Sequence, residues 1–355
     1  MAHKWSPICP PARGLVRPMR MDPTGGNGPT RGQAQRARWR RTSHGFYVPA
    51  EVDSTRPEQR VMEQSVRLPE GSAITGWAAC RLFRANFFDG IRPDGRTLIP
   101  VPLALGDVNQ IRADKQVTLL RGPLDRSEMT VRYGIACARL LRALFDEARS
   151  AENVREATVA IDMMTAAEQV SISQFRRYVE NRSGWRGVEQ VRLALDLADE
   201  RSMSPNETRM RMIWRLDAGF PRPLVNQPVF DHRGKLAGIA DLLDVEAGVV
   251  GEYDGADHRA ARRHSKDVAR EEFFRGLGLE YFKVVGPDMR SPGLVPERMA
   301  SSRARAKWLT DRQRLWTIEP PPGWPEEPSL DVVLALRELN AVSYTHLTLP
   351  TIYSV

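Results

Sequence analysis

The sequence predicts a mixed α/β (α+β) fold, and three observations carry that reading. From Ser204 onward, apolar runs of strand length surround one long helical stretch, in the order αβββαβ. Between Asp89 and Tyr133, the short β-like runs LIPVPLAL, QVTLL and MTVRYG are punctuated by Pro and Gly. Around that region, Glu58–Phe83, Ile135–Arg149, Val154–Met164, Ser171–Tyr178 and Val188–Ala198 repeat apolar residues at helical spacing. A chain of 355 residues is long for one domain, so two or three are expected.

Taken in order, residues 1–29 are rich in Pro, Gly and Arg and lack periodicity; a disordered segment or a mis-called start is expected. Residues 30–50 open with TRGQAQRARWRRTSHGFYV, which holds five arginines and no acid. A short helix leading into a strand pair is expected, with His44–Gly45 as the turn. Such a segment would bring Arg31, Arg36, Arg38, Arg40 and Arg41 to phosphates, the competing reading being a solvated basic linker. Residues 51–200 form the mixed α and β region, in which Trp77 and Trp185 are expected to pack rather than stack on bases.

The module at 201–295 begins with Ser204 as N-cap, Pro205 at the first helical position and Glu207 in the first turn. LVNQPVF, LAGIADLLD and GVVGEYD follow as strands, the first two joined by the tight turn DHRGK. A helix is expected from Ser265 to about Leu277, stopped by Gly278, and then LEYFKVVG as a fourth strand. Residues 296–341 carry a basic stretch, Arg298–Arg314 with Trp308 and Trp316, expected as an amphipathic helix. The extended tether EPPPGWPEEP and a last helix over Leu330–Leu339 complete it. Residues 342–355, VSYTHLTLPTIYSV, read as a translated sequencing adapter, which would put the natural sequence's cut near residue 341.

Composition narrows the function classes. No apolar run approaches the ~20 residues of a membrane span, and no apolar leader opens the chain. Three widely spaced cysteines (Cys9, Cys80, Cys137) speak against a disulfide framework or zinc knuckle and for a cytoplasmic location. A net charge of +8 and a pI near 9.7 make an anionic partner the expectation, DNA first.

The most informative segment is GIADLLDVEAGVVGEYDGADHRAARRHSKDVAR, from Gly238 to Arg270. It sets Asp241, Glu252 and Asp254 on apolar, strand-like sequence. Strand alternation puts Glu252 and Asp254 on one face and Tyr253 on the other. Acids in such a setting are costly unless paired, hydrogen-bonded or neutralised by a metal. Hard Mg²⁺ (or Mn²⁺) prefers carboxylate oxygens, so Asp241 and Glu252 are the expected ligands, with Glu207 holding a metal-bound water or orienting a ligand. The Gly251 or Tyr253 carbonyl could add a backbone oxygen. Gly255 serves a turn, and Asp267 with Arg270 would make an ordinary helix-face ion pair. His264 and the Arg259, Arg262 and Arg263 cluster are candidate phosphate contacts.

The αβββαβ order, together with Glu207, Gln227, Asp241, Glu252–Tyr253–Asp254–Gly255, His258, Asp267 and Arg270, resembles the PD-(D/E)XK nuclease superfamily. The branch it resembles is that of the very-short-patch-repair endonuclease-like proteins, over residues 204–290. The upstream RGQAQRARWRRTSHGFYV and ITGWAACRL look like AbiE-type antitoxin proteins, which begin with a winged helix; actinobacterial proteins commonly join the two parts. The resemblance implies a restriction-endonuclease-like domain and Mg²⁺-dependent hydrolysis of DNA phosphodiester bonds. It also implies a toxin-type protein as a candidate partner.

One departure bears on catalysis. The superfamily's lysine, two residues after the second acid, is here Asp254, which cannot supply positive charge. Asp254 could be a metal ligand, with His258 as general base or proton shuttle and Lys266 restoring the cation. A non-catalytic DNA-binding regulator of the antitoxin type is therefore the alternative, with an inactive remnant as the third reading.

Overall fold

A computed structural model describes residues 6–107, 109–255 and 261–347, leaving out the side chains of residues 261–267 and 341–347. The chain forms two compact units, Met1–Ala194 and Leu195–Val355.

The first unit opens with Met19–Arg20 (β1), Arg31–Ala34 (α1), Trp39–Ser43 (β2) and Phe46–Pro49 (β3), the strands ordered β1-β3-β2. A capping box starts α1: the Thr30 side chain accepts from Gln33 N, and the Gln33 side chain accepts from Thr30 N. The helix-then-hairpin reading of residues 30–50 holds, with Gly45 at φ 76 in the turn. The expected structureless start is corrected over residues 6–29. Cys9 is buried and its N–H donates to the Arg84 carbonyl at 2.9 Å. Val16 N donates to Gln59 Oε1 at 2.9 Å, and β1 pairs with β3. Extended chain needs no periodicity of its own when its backbone groups find partners elsewhere.

The unit continues through Pro57–Ser65 (α2), Ala73–Ile74 (β4), Gly76–Leu82 (α3), Val101–Ala104 (β5), Val117–Leu120 (β6), Met129–Arg132 (β7) and Ile135–Ala138 (β8). Leu140–Ser150 (α4), Val154–Ala166 (α5), Ile172–Glu180 (α6) and Val188–Leu197 (α7) follow. The five strands lie in the order β6-β5-β4-β8-β7. Ile135–Ala138, read as the start of a helix, is a strand. Tyr133 (φ 52) and Gly134 (φ 72) form a two-residue turn that folds β8 back on β7. Trp77 and Trp185 both pack within the unit: Trp77 donates to the Pro100 carbonyl at 2.9 Å, and Trp185 lies edge-on to Phe145.

On α4, Arg142 is buried between Asp146 (3.0 Å) and Glu128 (2.8 Å), and Thr75 Oγ1 donates to Asp146 at 2.7 Å. Next to this network, Glu147 accepts from Trp77 N at 2.7 Å. Burial, opposed by that hydrogen bond and reinforced by the Asp146 charge, pushes Glu147 up from 4.5 to about 7. A folded-state value above the unfolded one contributes stability that is full below about pH 4.5 and is lost as pH rises through about 7. The loss is on the order of 3 kcal/mol. Glu147→Gln is expected to flatten the dependence of melting temperature on pH between 4.5 and 8.5, and to melt higher than the parent at pH 8.5. Parallel profiles for the two proteins would contradict this.

In the second unit, Pro205–Met212 (α8) runs into a π-helical turn at Ile213–Asp217. Leu224–Asp231 (β9), Leu236–Asp244 (β10), Val249–Asp254 (β11), Ala261–Gly276 (α9) and Glu280–Val285 (β12) follow. Then come Leu294–Arg305 (α10), Trp316–Thr317 (β13) and Leu330–Leu347 (α11). From α8 to β12 this is αβββαβ. The sheet order is β12-β11-β10-β9-β13. Strands β9, β10 and β11 meander antiparallel; α9 is the crossover that allows β11 and β12 to run parallel.

Two cores hold the layers together. Val229, Leu243, Val250 and Tyr281 pack with Phe274 of α9 on one face of the sheet. Leu242, Phe282 and Val284 pack with Met210, Trp214 and Met299 on the other, under α8 and α10. The expected basic helix over Arg298–Arg314 ends at Arg305. Ala306 turns extended and Trp308 takes φ 52, so that Arg303 lies over both Phe220 (5.0 Å) and Trp308 (4.6 Å). Helix α11 carries the backbone past residue 341 to Leu347. No described helix is long and apolar enough to cross a membrane.

Candidate functional site

The acids gather where β10 and β11 lie side by side. Registered pairs Leu242–Gly251 and Leu243–Val250 put Asp241 and Glu252 at the next position of the same ladder. Leu242 packs on the α8/α10 side whereas Ala240 belongs to the α9 side, so the regular alternation of β10 breaks at Asp241. Opposite that break, between the Val225–Leu242 and Gln227–Ala240 pairs, Asn226 stands in the left-handed region at φ 44. Asn is one of the few side chains that tolerate this backbone, and such strain tends to sit at functional sites.

Each carboxylate has a defined setting. Asp241 Oδ2 accepts from Tyr253 N at 2.8 Å. Burial and then the Glu207 charge push Asp241 up to about 8; the Tyr253 N–H opposes the rise, Glu252 adds to it and Arg270 opposes it. Glu252, 3% exposed, accepts through Oε2 from Arg270 Nη2 at 2.5 Å and from the Tyr281 hydroxyl at 2.9 Å. That buried carboxylate raises the Tyr281 phenol, after the larger effect of burial. Asp254 Oδ2 meets Lys283 Nζ at 2.7 Å. Glu252 and Lys283 are direct partners in the parallel β11–β12 ladder, so Glu252, Asp254, Tyr281 and Lys283 share the α9 face. Tyr253 points the other way and takes a 2.8 Å hydrogen bond from Asn206 of α8.

Glu207 is engaged by two local donors. As the third residue after its N-cap Ser204, it turns back so that Oε2 accepts from Met203 N (3.0 Å) and Asn226 Nδ2 (2.8 Å). Its charge is nevertheless felt at Asp241, where it is the first cause of the raised value after burial. Capping of α8 and anchoring of the strained Asn226 account for its carboxylate. Gln227 accepts from Arg201 at 2.9 Å.

Arg270 gives its guanidinium to Glu252, and the side chain of Asp267, its expected partner, lies outside the described ones. Among the described residues Lys283 is a cation beside Asp254; the side chains of Lys266, Asp267, Arg262, Arg263 and His264 lie outside the described ones. His258 and Arg259 lie outside the described residues altogether.

The five arginines of the first unit separate. Arg31, Arg36 and Arg38 are exposed. Arg40 is withdrawn from the phosphate-contact set: both terminal nitrogens grip the buried Glu63, at 3.0 and 2.7 Å, which makes it a strut between β2 and α2. Arg41 is exposed, held by the Ser43 carbonyl (3.1 Å) and His44 Nδ1 (3.0 Å).

Asn226, Tyr281 and Lys283 are site residues that the sequence reading missed. Tyr281 and Lys283 sit two apart in LEYFKVVG, a pattern that places them on one face. Which face required the β11–β12 register. No family model, curated protein or solved structure matches the chain.

Proposed function

We propose that the protein binds DNA and that its second unit is a metal-dependent, restriction-endonuclease-like domain hydrolysing DNA phosphodiester bonds. The observation that supports this most is the placement of Asp241 and Glu252 at adjoining positions of neighbouring strands within an αβββαβ unit. The donor set suits Mg²⁺ or Mn²⁺, because such ions are commonly held by one or two carboxylates, the remaining positions going to water and substrate phosphate. Asp241 and Glu252 would hold the ion, which when bound polarises a phosphate oxygen and acidifies a water.

The chain's own groups have separate parts. Tyr253 N–H fixes the orientation of Asp241, while Arg270 and Tyr281 fix that of Glu252. Lys283 brings positive charge to the same face, so Asp254 in the lysine position is offset from the neighbouring strand. His258 keeps the proton-transfer role that the resemblance implies.

A metal-binding measurement tests the assignment without relying on turnover. Mn²⁺ titrated into the protein and followed by electron paramagnetic resonance should bind at least about tenfold more weakly to Asp241→Asn, a loss of ~1.4 kcal/mol or more. Equal affinity would remove Asp241 from the site. The alternative, a non-catalytic DNA-binding regulator of the antitoxin type, draws support from Asp254 in the lysine position and from the Arg270 ion pair on Glu252.

A further inference from the structure

The first unit contains a basic cleft of about 730 Å³ whose exposed cations come from three separate parts of the chain. The β2–β3 hairpin provides Arg41, β1 provides Arg20, and the loop before β6 provides Arg112 and Lys115. The floor is apolar, with Phe46 and Val66, and the Arg20 guanidinium lies 5.0 Å from the Phe46 ring centroid.

The loop is anchored, not simply adjacent. Arg67, at the end of α2, donates to Asp114 Oδ2 at 2.8 Å and to the Arg112 carbonyl at 2.8 Å, and Gln64 Nε2 reaches Gln116 Oε1 at 3.2 Å. Asp114, the acid lining the cleft, is therefore already neutralised by Arg67. Arg20, Arg41, Arg112 and Lys115 remain exposed on the cleft without an acid of its lining to offset them.

We propose that this cleft binds the phosphate backbone of DNA, with Arg41 on one wall and Arg112 and Lys115 on the other. The arrangement differs from the contact surface expected from sequence, since Arg31, Arg36 and Arg38 do not line it and Arg40 is committed to Glu63. Cations lining a cleft together with Phe46 and Val66 suit a linear polyanion, and the exposed Gln116 adds a polar side chain. The proposal shares with the proposed function only the choice of DNA as partner.

The test is fluorescence anisotropy of the full chain with a labelled 25-base-pair duplex, in EDTA and over a salt series. Each phosphate contact contributes about 0.9 to the slope of log K against log salt. Arg41→Ala/Arg112→Ala/Lys115→Ala is expected to lower that slope by about 2–3 and to raise Kd at least about tenfold. Arg31→Ala/Arg36→Ala/Arg38→Ala should stay within about twofold of the parent, since exposed charges outside the contact surface are largely screened. Because the three cleft side chains are exposed, their removal should leave the melting temperature unchanged.

An unchanged slope and Kd in the cleft variant would overturn the proposal, as would an equal loss in the control variant. A mononucleotide that competes as well as duplex at equal phosphate would overturn the choice of a polymeric ligand. Cleavage that persists with an unaffected cleft variant would defeat the cleft alone. A cleft that binds in a protein unable to cleave would defeat only the nuclease reading, and no binding by any form would defeat both.

Discussion

Glu252→Gln is expected to lower metal-dependent strand cleavage by about 10³-fold while the protein stays folded. Two effects compete at this side chain, and their sizes separate them. Glutamine keeps the volume of glutamate and retains an oxygen that can accept from Tyr281, but it gives up the charge that pairs with Arg270. Removing one partner of a fully buried pair costs ~3–5 kcal/mol. Here the Arg270 side chain is 37% exposed, so the guanidinium left behind can be hydrated and the cost falls toward ~1 kcal/mol. If Glu252 is a metal ligand as proposed, losing its charge acts on the transition state instead, where a 10³-fold effect corresponds to ~4 kcal/mol. Initial cleavage rates and thermal melts on the same samples therefore distinguish the two. A rate unchanged from the parent would remove Glu252 from the site.

Trp214→Ala is expected to destabilise the second unit by ~3–5 kcal/mol, the range for deleting a large buried aromatic side chain. Trp214 is fully buried in the π-helical turn after α8, stacked on Phe282 at 6.1 Å and 4°, with Phe220 edge-on at 4.8 Å. Its indole N–H donates to the Pro221 carbonyl at 2.8 Å, a bond that alanine cannot replace. Phe282 in turn fills the space over Gly251, where a β-carbon would lie 2.3 Å from its Cζ. The ring stack thus sits directly behind Glu252, and its collapse would loosen β11 and β12 together. Hydrogen exchange read by peptide should show faster exchange across 249–254 and 280–285. Protection equal to the parent's there would contradict this packing account.

The course of the second unit was largely legible because each element carries a strong local signal. Ser204, Pro205 and Glu207 mark the start of α8, Gly278 marks the end of α9, and apolar runs bounded by turn residues give the strands. The side-chain alternation of β11 was equally readable, and the structure keeps Glu252 and Asp254 together with Tyr253 opposite. Four features were not readable. Register decides that Lys283 meets Asp254, and nothing local in LEYFKVVG encodes its parallel partner. The break in alternation at Asp241 depends on the left-handed Asn226 across the ladder, a backbone state that Asn adopts only in certain contexts. In the first unit, the Arg40–Glu63 pair joins residues 23 apart, so a basic run that reads as one surface in sequence is divided by folding into struts and exposed cations. The hairpin of β7 and β8 was hidden by the helical periodicity of the α4 sequence that follows it.

The proposed function is that the second unit cuts DNA with metal held by Asp241 and Glu252. Conversion of supercoiled plasmid to the open-circular form, in Mg²⁺, in Mn²⁺ and in EDTA, by the parent and Glu252→Gln side by side, tests it most directly. Nicking by the parent is expected in either metal, none in EDTA, and near-complete loss in the variant. DNA binding by the parent without nicking in either metal would contradict it and leave the regulator reading in its place.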